Sequence, residues 1–137
     1  MIDLSTEYLG LKLKNPLVPS SSPLTGDLDS ARQLEDAGAS ALVMPSLFEE
    51  SILASEAAAV RFLHEQDLGF AEANSFLPVP DESVYLSELD EYLAYIQRLK
   101  SNLSIPVIAS LNGISTEGWT RYGKQLQEAG ADALELN

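Results

Sequence analysis

The side chains able to do chemistry in this 137-residue sequence are hydroxyls, amides and carboxylates, for it holds no cysteine and one histidine. Without cysteine there is no disulfide framework, thiolate zinc site or thiol nucleophile. Ser20, Ser21 and Ser22 follow the apolar stretch "NPLVP". Asn74 and Ser75 stand in "EANSFLP", Asn112 follows "IPVIASL", and Asn137 follows "ADALEL". Hydroxyls and amides bind by hydrogen bonding, an amide both donating and accepting. The serines, Asn74 and Asn112 also suit ordinary turns. Glu49 and Glu50 are adjacent, so on a helix their carboxylates diverge, and no histidine is placed to join them around a metal. We expect both to be solvated and no metal to bind. His64, in an alanine-rich helical stretch, is expected to be a partly exposed helical residue.

An internal repeat indicates what holds these groups. "LEDAGASALVMP" from Leu34 and "LQEAGADALELN" from Leu126 share a leucine, an acidic residue, Ala-Gly-Ala and Ala-Leu. A glycine just past a helix relieves the left-handed C-terminal position, and a strand then begins at once. "NPLVPSSS" reads as a short first strand opening into a serine loop. Leu28, Ala31, Leu34 and Ala37 recur at helical spacing. "ALVMP" is the second strand, and an alanine-rich helix follows with Ile52, Ala59 and Phe62 among its apolar positions. "LPVPD" breaks that helix. The next begins at Ser87 with Asp90 in a capping box and sets Leu89, Tyr92, Leu93, Ile96 and Leu99 on one face. Ile105–Leu111 is a third strand, apolar throughout, as parallel strands covered on both faces are. Thr116–Ala129 is a helix turning Trp119, Tyr122 and Leu126 inward, and Ala133–Leu136 is the fourth strand. In front, Gly10 divides "LSTEYLGLKLKNP" into a small β-hairpin. Two α/β architectures fit: an open doubly wound sheet, or the first half, about four β/α units, of a (β/α)8 TIM barrel.

Charge and hydropathy exclude other classes. The net charge is -13, from 21 acidic and 8 basic residues. Such a surface repels phosphate backbones, and Lys12 with Lys14 and Arg98 with Lys100 are only isolated basic pairs, so no nucleic-acid partner is expected. No run approaches the ~18–20 apolar residues of a membrane span. "MIDLSTEYLG" has neither the basic segment nor the apolar core of a signal peptide, so the expected location is cytoplasmic.

"YLGLKLKNPLVPSSSP", "LEDAGASALVM", "IPVIASLNG" and "AGADALELN" together resemble the N-terminal half of the dihydroorotate dehydrogenase family, in its dihydroorotate dehydrogenase-like branch. The resemblance covers almost the whole chain. It implies an FMN-dependent TIM barrel whose flavin lies at the C-terminal ends of the strands. Ser20, Ser21 and Ser22 match a stretch of small residues passing beside the flavin ring, with Ser22 in place of a glycine. Asn112, at the C-terminal end of a strand in such a barrel, is expected to line the cofactor site, and Asn137 matches the asparagine of the family's Glu-Leu-Asn signature, expected to reach both cofactor and substrate. Asn74 and Ser75 match an Asn-Ser pair on the substrate loop. Pro45 stands where the family usually carries a lysine; proline supplies neither charge nor side-chain donor, a departure that bears on the substrate.

The resemblance therefore implies hydride transfer from a dihydropyrimidine-like small molecule to FMN, in pyrimidine metabolism. The family's general base falls a few positions beyond the residue matched by Asn137. Its phosphate-binding loops follow strands seven and eight. Residues 1–137 are thus expected to be the N-terminal half of a single FMN-binding barrel domain, inactive alone and completed by a C-terminal half-barrel or by self-association. Apolar inward faces at Val18, Val43, Val107 and Ile108 are expected to lie open without that completion. Two other readings remain: another flavin- or phosphate-binding barrel enzyme, and a non-catalytic half-barrel that serves in assembly.

Overall fold

Gly38 and Gly130 decide where two helices stop and two strands start. Their φ angles are 105° and 107°, in the left-handed region that a β-carbon disfavours. The structure, a computed structural model, describes residues 2–67 and 87–137. Asn74 and Ser75 lie outside the described residues.

Helix α1 (Leu28–Asp36) starts at Asp27, whose carboxylate accepts from the Ser30 amide at 2.9 Å. At its end the Gly38 amide donates to Glu35 O and the Ala39 amide to Leu34 O, at 2.9 and 3.0 Å. The helix Thr116–Glu128 closes identically: Gly130 N donates to Gln127 O and Ala131 N to Leu126 O, at 3.0 and 3.2 Å. Both are Schellman closures, and the repeat marks two equivalent helix-to-strand joints. The remaining helices are Glu49–Asp67 and Glu88–Asn102, the latter opened by the expected Ser87–Asp90 capping box. We number the four α1 to α4 in chain order.

After the hairpin strands β1 (Thr6–Tyr8) and β2 (Leu11–Leu13) come β3 (Leu42–Phe48), β4 (Val107–Asn112) and β5 (Ala133–Leu136). The last three form one parallel sheet in the order β3-β4-β5. Alternation along the strands separates its faces. Leu42, Met44, Leu47, Val107, Ala109 and Leu111 join Ile52, Ile96, Leu99, Tyr122 and Leu126 in the main core under the helices. On the other face Val43 and Ile108 pack with Ala41 and Leu13, with Val18 and Ala133 alongside. Leu13 thus brings the hairpin over one end of that face. The hairpin turn places Leu9 and Gly10 at φ 52° and 76°.

The α/β class and the parallel sheet agree with expectation, and three sequence readings need correction. "NPLVPSSS" forms no regular strand: Leu17 O and Pro19 O accept from Ser40 N and Val43 N at 2.9 and 3.0 Å. Pro16 and Pro19 have no N–H to return, so the segment lies along β3 as acceptor only. Strand β3 does not stop at Pro45 but runs to Phe48, because the proline sits in a bulge. Val107 faces the helices, as it must if its neighbour Ile108 faces the other way. Val43 and Ile108, expected open, are 8% and 2% exposed beneath the hairpin.

Candidate functional site

The face of the sheet away from the helices is built in layers that grow more polar toward the strands' C-terminal ends. Register sets Val43 beside Ile108 and Ile108 beside Ala133, an apolar layer. The next layer is Ser46, Ser110 and Glu135. Beyond it Phe48 pairs with Asn112, and the Asn137 amide donates to Leu111 O at 3.0 Å, so Asn112 and Asn137 end the face together. The middle layer is one hydrogen-bonded row. Ser46 Oγ lies 2.8 Å from Ser110 Oγ, which is 2.8 Å from Glu135 Oε1. Asn137 Nδ2 donates to Ser110 Oγ at 3.3 Å and to Glu135 Oε1 at 3.0 Å. Ser110 is fully buried. In an otherwise apolar strand such a serine stays only when its hydroxyl is satisfied.

The row is possible because β3 carries one residue more than β4 between paired positions. Val43 pairs with Ile108, whereas Ser46 pairs with Ser110, so Met44 and Pro45 together oppose Ala109. This bulge turns Ser46 onto the same face as Val43. It also leaves a gap in the ladder, which the Tyr92 hydroxyl of α3 fills by donating to Pro45 O at 2.8 Å and accepting from Ser110 N at 3.2 Å. Burial, helped by the nearby Glu135 carboxylate and opposed by the Ser110 bond, pushes the Tyr92 hydroxyl up to about 12. It therefore stays protonated and able to donate.

Glu49 corrects another expectation. It is 3% exposed rather than solvated, whereas Glu50 is exposed. Its carboxylate accepts from the amides of Ile114 and Ser115 and from Ser115 Oγ, binding the loop after β4 to the start of α2. Ser115 Oγ in turn accepts from Gly118 N at 2.8 Å as the N-cap of α4. These bonds, the Ser115 hydroxyl first, hold the Glu49 carboxyl below its ordinary 4.5. A depressed folded value adds stability that is whole above the unfolded pKa and disappears as pH falls through the folded one. Glu49→Gln is therefore expected to flatten the loss of melting temperature below about pH 4.5, as read by circular dichroism. Equal acid slopes for variant and wild type would refute it.

Ser20 and Ser21 are exposed and Ser22 half-buried. The Ser22 amide donates to Thr25 Oγ1 at 3.2 Å at the start of a 3-10 turn, Pro23–Thr25. Tyr95 of α3 fixes that turn by donating to Thr25 O at 3.1 Å. Ser21, Ser22, Pro23, Pro45, Ser46 and Phe48 line an open cavity of about 370 Å³. Asn112 and Asn137 lie at the strand ends. His64 lies within α2, and among the described residues no three His, Cys, Asp or Glu side chains converge as metal ligands. Sequence reading missed Ser46, Ser110, Glu135 and Tyr92. Ile108, Ser110 and Asn112, alternating along one strand, were the available signal.

Comparison with known proteins then bears on this arrangement. No family model matches the chain. The NAD-dependent dihydropyrimidine dehydrogenase subunit PreA of Escherichia coli K12 is 30% identical over 138 residues, covering 98% of this chain and 32% of that protein. The catalytic subunit of dihydroorotate dehydrogenase B (NAD(+)) of Thermoplasma acidophilum is 29% identical over 147 residues, covering 100% of this chain and 42% of that protein. The chain is similar over nearly its whole length to these two dehydrogenase subunits. It spans about a third of the length of the first relative and less than half of the second. Both relatives are named as subunits. Among the described residues no helix is long and apolar enough to cross a membrane.

Proposed function

We propose that this chain is part of a dihydroorotate dehydrogenase-like oxidoreductase that uses FMN to oxidise a dihydropyrimidine-like ring. Residues 1–137 would form the N-terminal half of one TIM-barrel domain in a cytoplasmic enzyme, completed by further barrel strands. The observation that carries the reading is the polar row at the C-terminal ends of three parallel strands, the end where barrel enzymes hold their ligands. Similarity along the whole chain to two dehydrogenases supports it.

The cavity lining, small serines together with Phe48 and Pro45, suits a flat ring. Among the described residues no lysine or arginine lines it, so the reading places the phosphate of a flavin nucleotide elsewhere. A bound flavin supplies a two-electron acceptor for hydride leaving a saturated C–H. Ser20, Ser21 and Ser22 let the chain come close to the ring. Asn112 and Asn137 bond its polar edges or those of the substrate, the role also proposed for Asn74 and Ser75. These residues bind and orient; none is assigned as the base.

Titration of 15N-labelled protein with millimolar riboflavin tests the reading. The amides of Ser20, Ser21, Ser22, Ser46 and Asn112 are expected to shift while Ser30 and Arg32 of α1 stay still. Shifts absent from the strand ends, or equal over the whole protein, would count against it.

A further inference from the structure

A surface helix ordinarily turns its apolar stripe to the core and its charges to water. Helix α2 reverses this over much of its described length. Toward the body it sends Glu49 and Ile52, both buried, and Glu56, whose carboxylate lies 3.9 Å from Arg121 of α4. Toward solvent it sends Leu53, Ala54, Ala57, Ala58 and Val60, all exposed, Leu53 at 43% and Val60 at 66%. Residues three, four and seven apart share a helix face, so Leu53, Ala57 and Val60 make one apolar stripe with Ala54 beside it.

The stripe carries a charge near each end, and the two are opposite in sign. Glu50 and Arg61, both exposed, lie on this outward face, separated by about three turns and about 16 Å. At that distance they cannot pair with each other. An antiparallel copy of the helix brings them together. With a two-fold axis passing between Ser55 and Glu56, Glu50 faces Arg61 of the second copy, Ala54 faces Ala57, and Leu53 faces Ala58. Every match then occurs twice, as a two-fold contact requires. Leu53 against Ala58 sets large against small, and the facing alanines let the helix axes approach to about 8 Å. A parallel copy would set Glu50 against Glu50.

Overall charge favours the same face. Two copies carrying -13 each repel one another over most of their surface. From Ser51 to Val60 the only charged side chain is Glu56, which leans toward Arg121, while Glu50 and Arg61 cancel. Here a second copy meets a locally neutral, apolar surface.

We propose that the outward face of α2 is a docking surface for a second copy of this chain, joined antiparallel about a two-fold axis and held in register by two Glu50–Arg61 pairs. The inference does not depend on the flavin reading. Sedimentation equilibrium of the purified protein tests it. Wild type is expected to dimerise with a Kd of about 10–100 µM, as suits a small interface. Glu50→Arg and Arg61→Glu should each weaken the dimer about thirtyfold, since each turns both pairs into like-charge contacts. The double variant should return to within about threefold of wild type. General repulsion cannot imitate this pattern, because Glu50→Arg makes the chain less acidic and would then strengthen association. Both positions are exposed, so melting temperatures should hold; if one single variant unfolds, the other carries the comparison. A monomer at every concentration up to about 1 mM, a dimer indifferent to both single variants, or a double variant that restores nothing would overturn the inference. Indifference to α2 would move the contact to the open edge of β5.

Discussion

Tyr92→Phe should destabilise the protein by about 3 kcal/mol, although it removes a single oxygen atom. That oxygen joins two strands across the bulge, bonded to Pro45 O and Ser110 N. Ser110 is fully buried and Pro45 half-buried. Without the hydroxyl, both backbone groups lose their partner, and each such loss costs about 1–3 kcal/mol. The vacated space is about one atom wide, too small for a water molecule to take over both bonds. Urea unfolding of variant and wild type measures the difference. A loss below about 1 kcal/mol would mean that the strands re-pair directly. The effect should reach the ligand face as well, since Ser46 and Ser110 flank the gap and their separation is set by it.

Gly118→Ala is expected to destabilise by about 2 kcal/mol, against the usual direction. In an exposed helix interior the same change gains up to about 1 kcal/mol, because alanine is the better helix former. Here a β-carbon at Gly118 would land inside the Glu49 carboxylate. Either the carboxylate withdraws from Ile114 and Ser115 or the first turn of α4 shifts away. Both loosen the loop that follows Asn112. Repeating the substitution in a Glu49→Ala background is the decisive control, since neighbouring residues couple in a double-mutant cycle. The penalty should vanish there, and alanine should become neutral or favourable. An equal penalty in both backgrounds would show that something other than Glu49 occupies the space.

Helix ends and strand starts were legible because they depend on local chemistry. Ser87 caps a helix with Asp90, and Gly38 and Gly130 take backbone angles that other residues avoid. The inward faces of α3 and α4 were legible from spacing alone. What stayed hidden depends on partners distant in sequence. Prolines at 16 and 19 left a strand-like segment without donors, and Pro45 looked like an end when it was a bulge. Glu49 resembled a surface carboxylate until the loop 65 residues later folded onto it. Most of the site was hidden for the same reason. Asn112 and Asn137 could be placed at strand ends, but Ser46, Ser110 and Glu135 become a row only when three strands are in register.

The one-way bonding of the segment before Ser20 also sets how this sheet can grow. Along it, carbonyls point to β3, while Pro16 and Pro19 have no amide to offer a newcomer on either side. Strand β5, by contrast, pairs only with β4 among the described residues and carries no proline. A further strand, from whatever source, finds a template on one flank and a blunt one on the other.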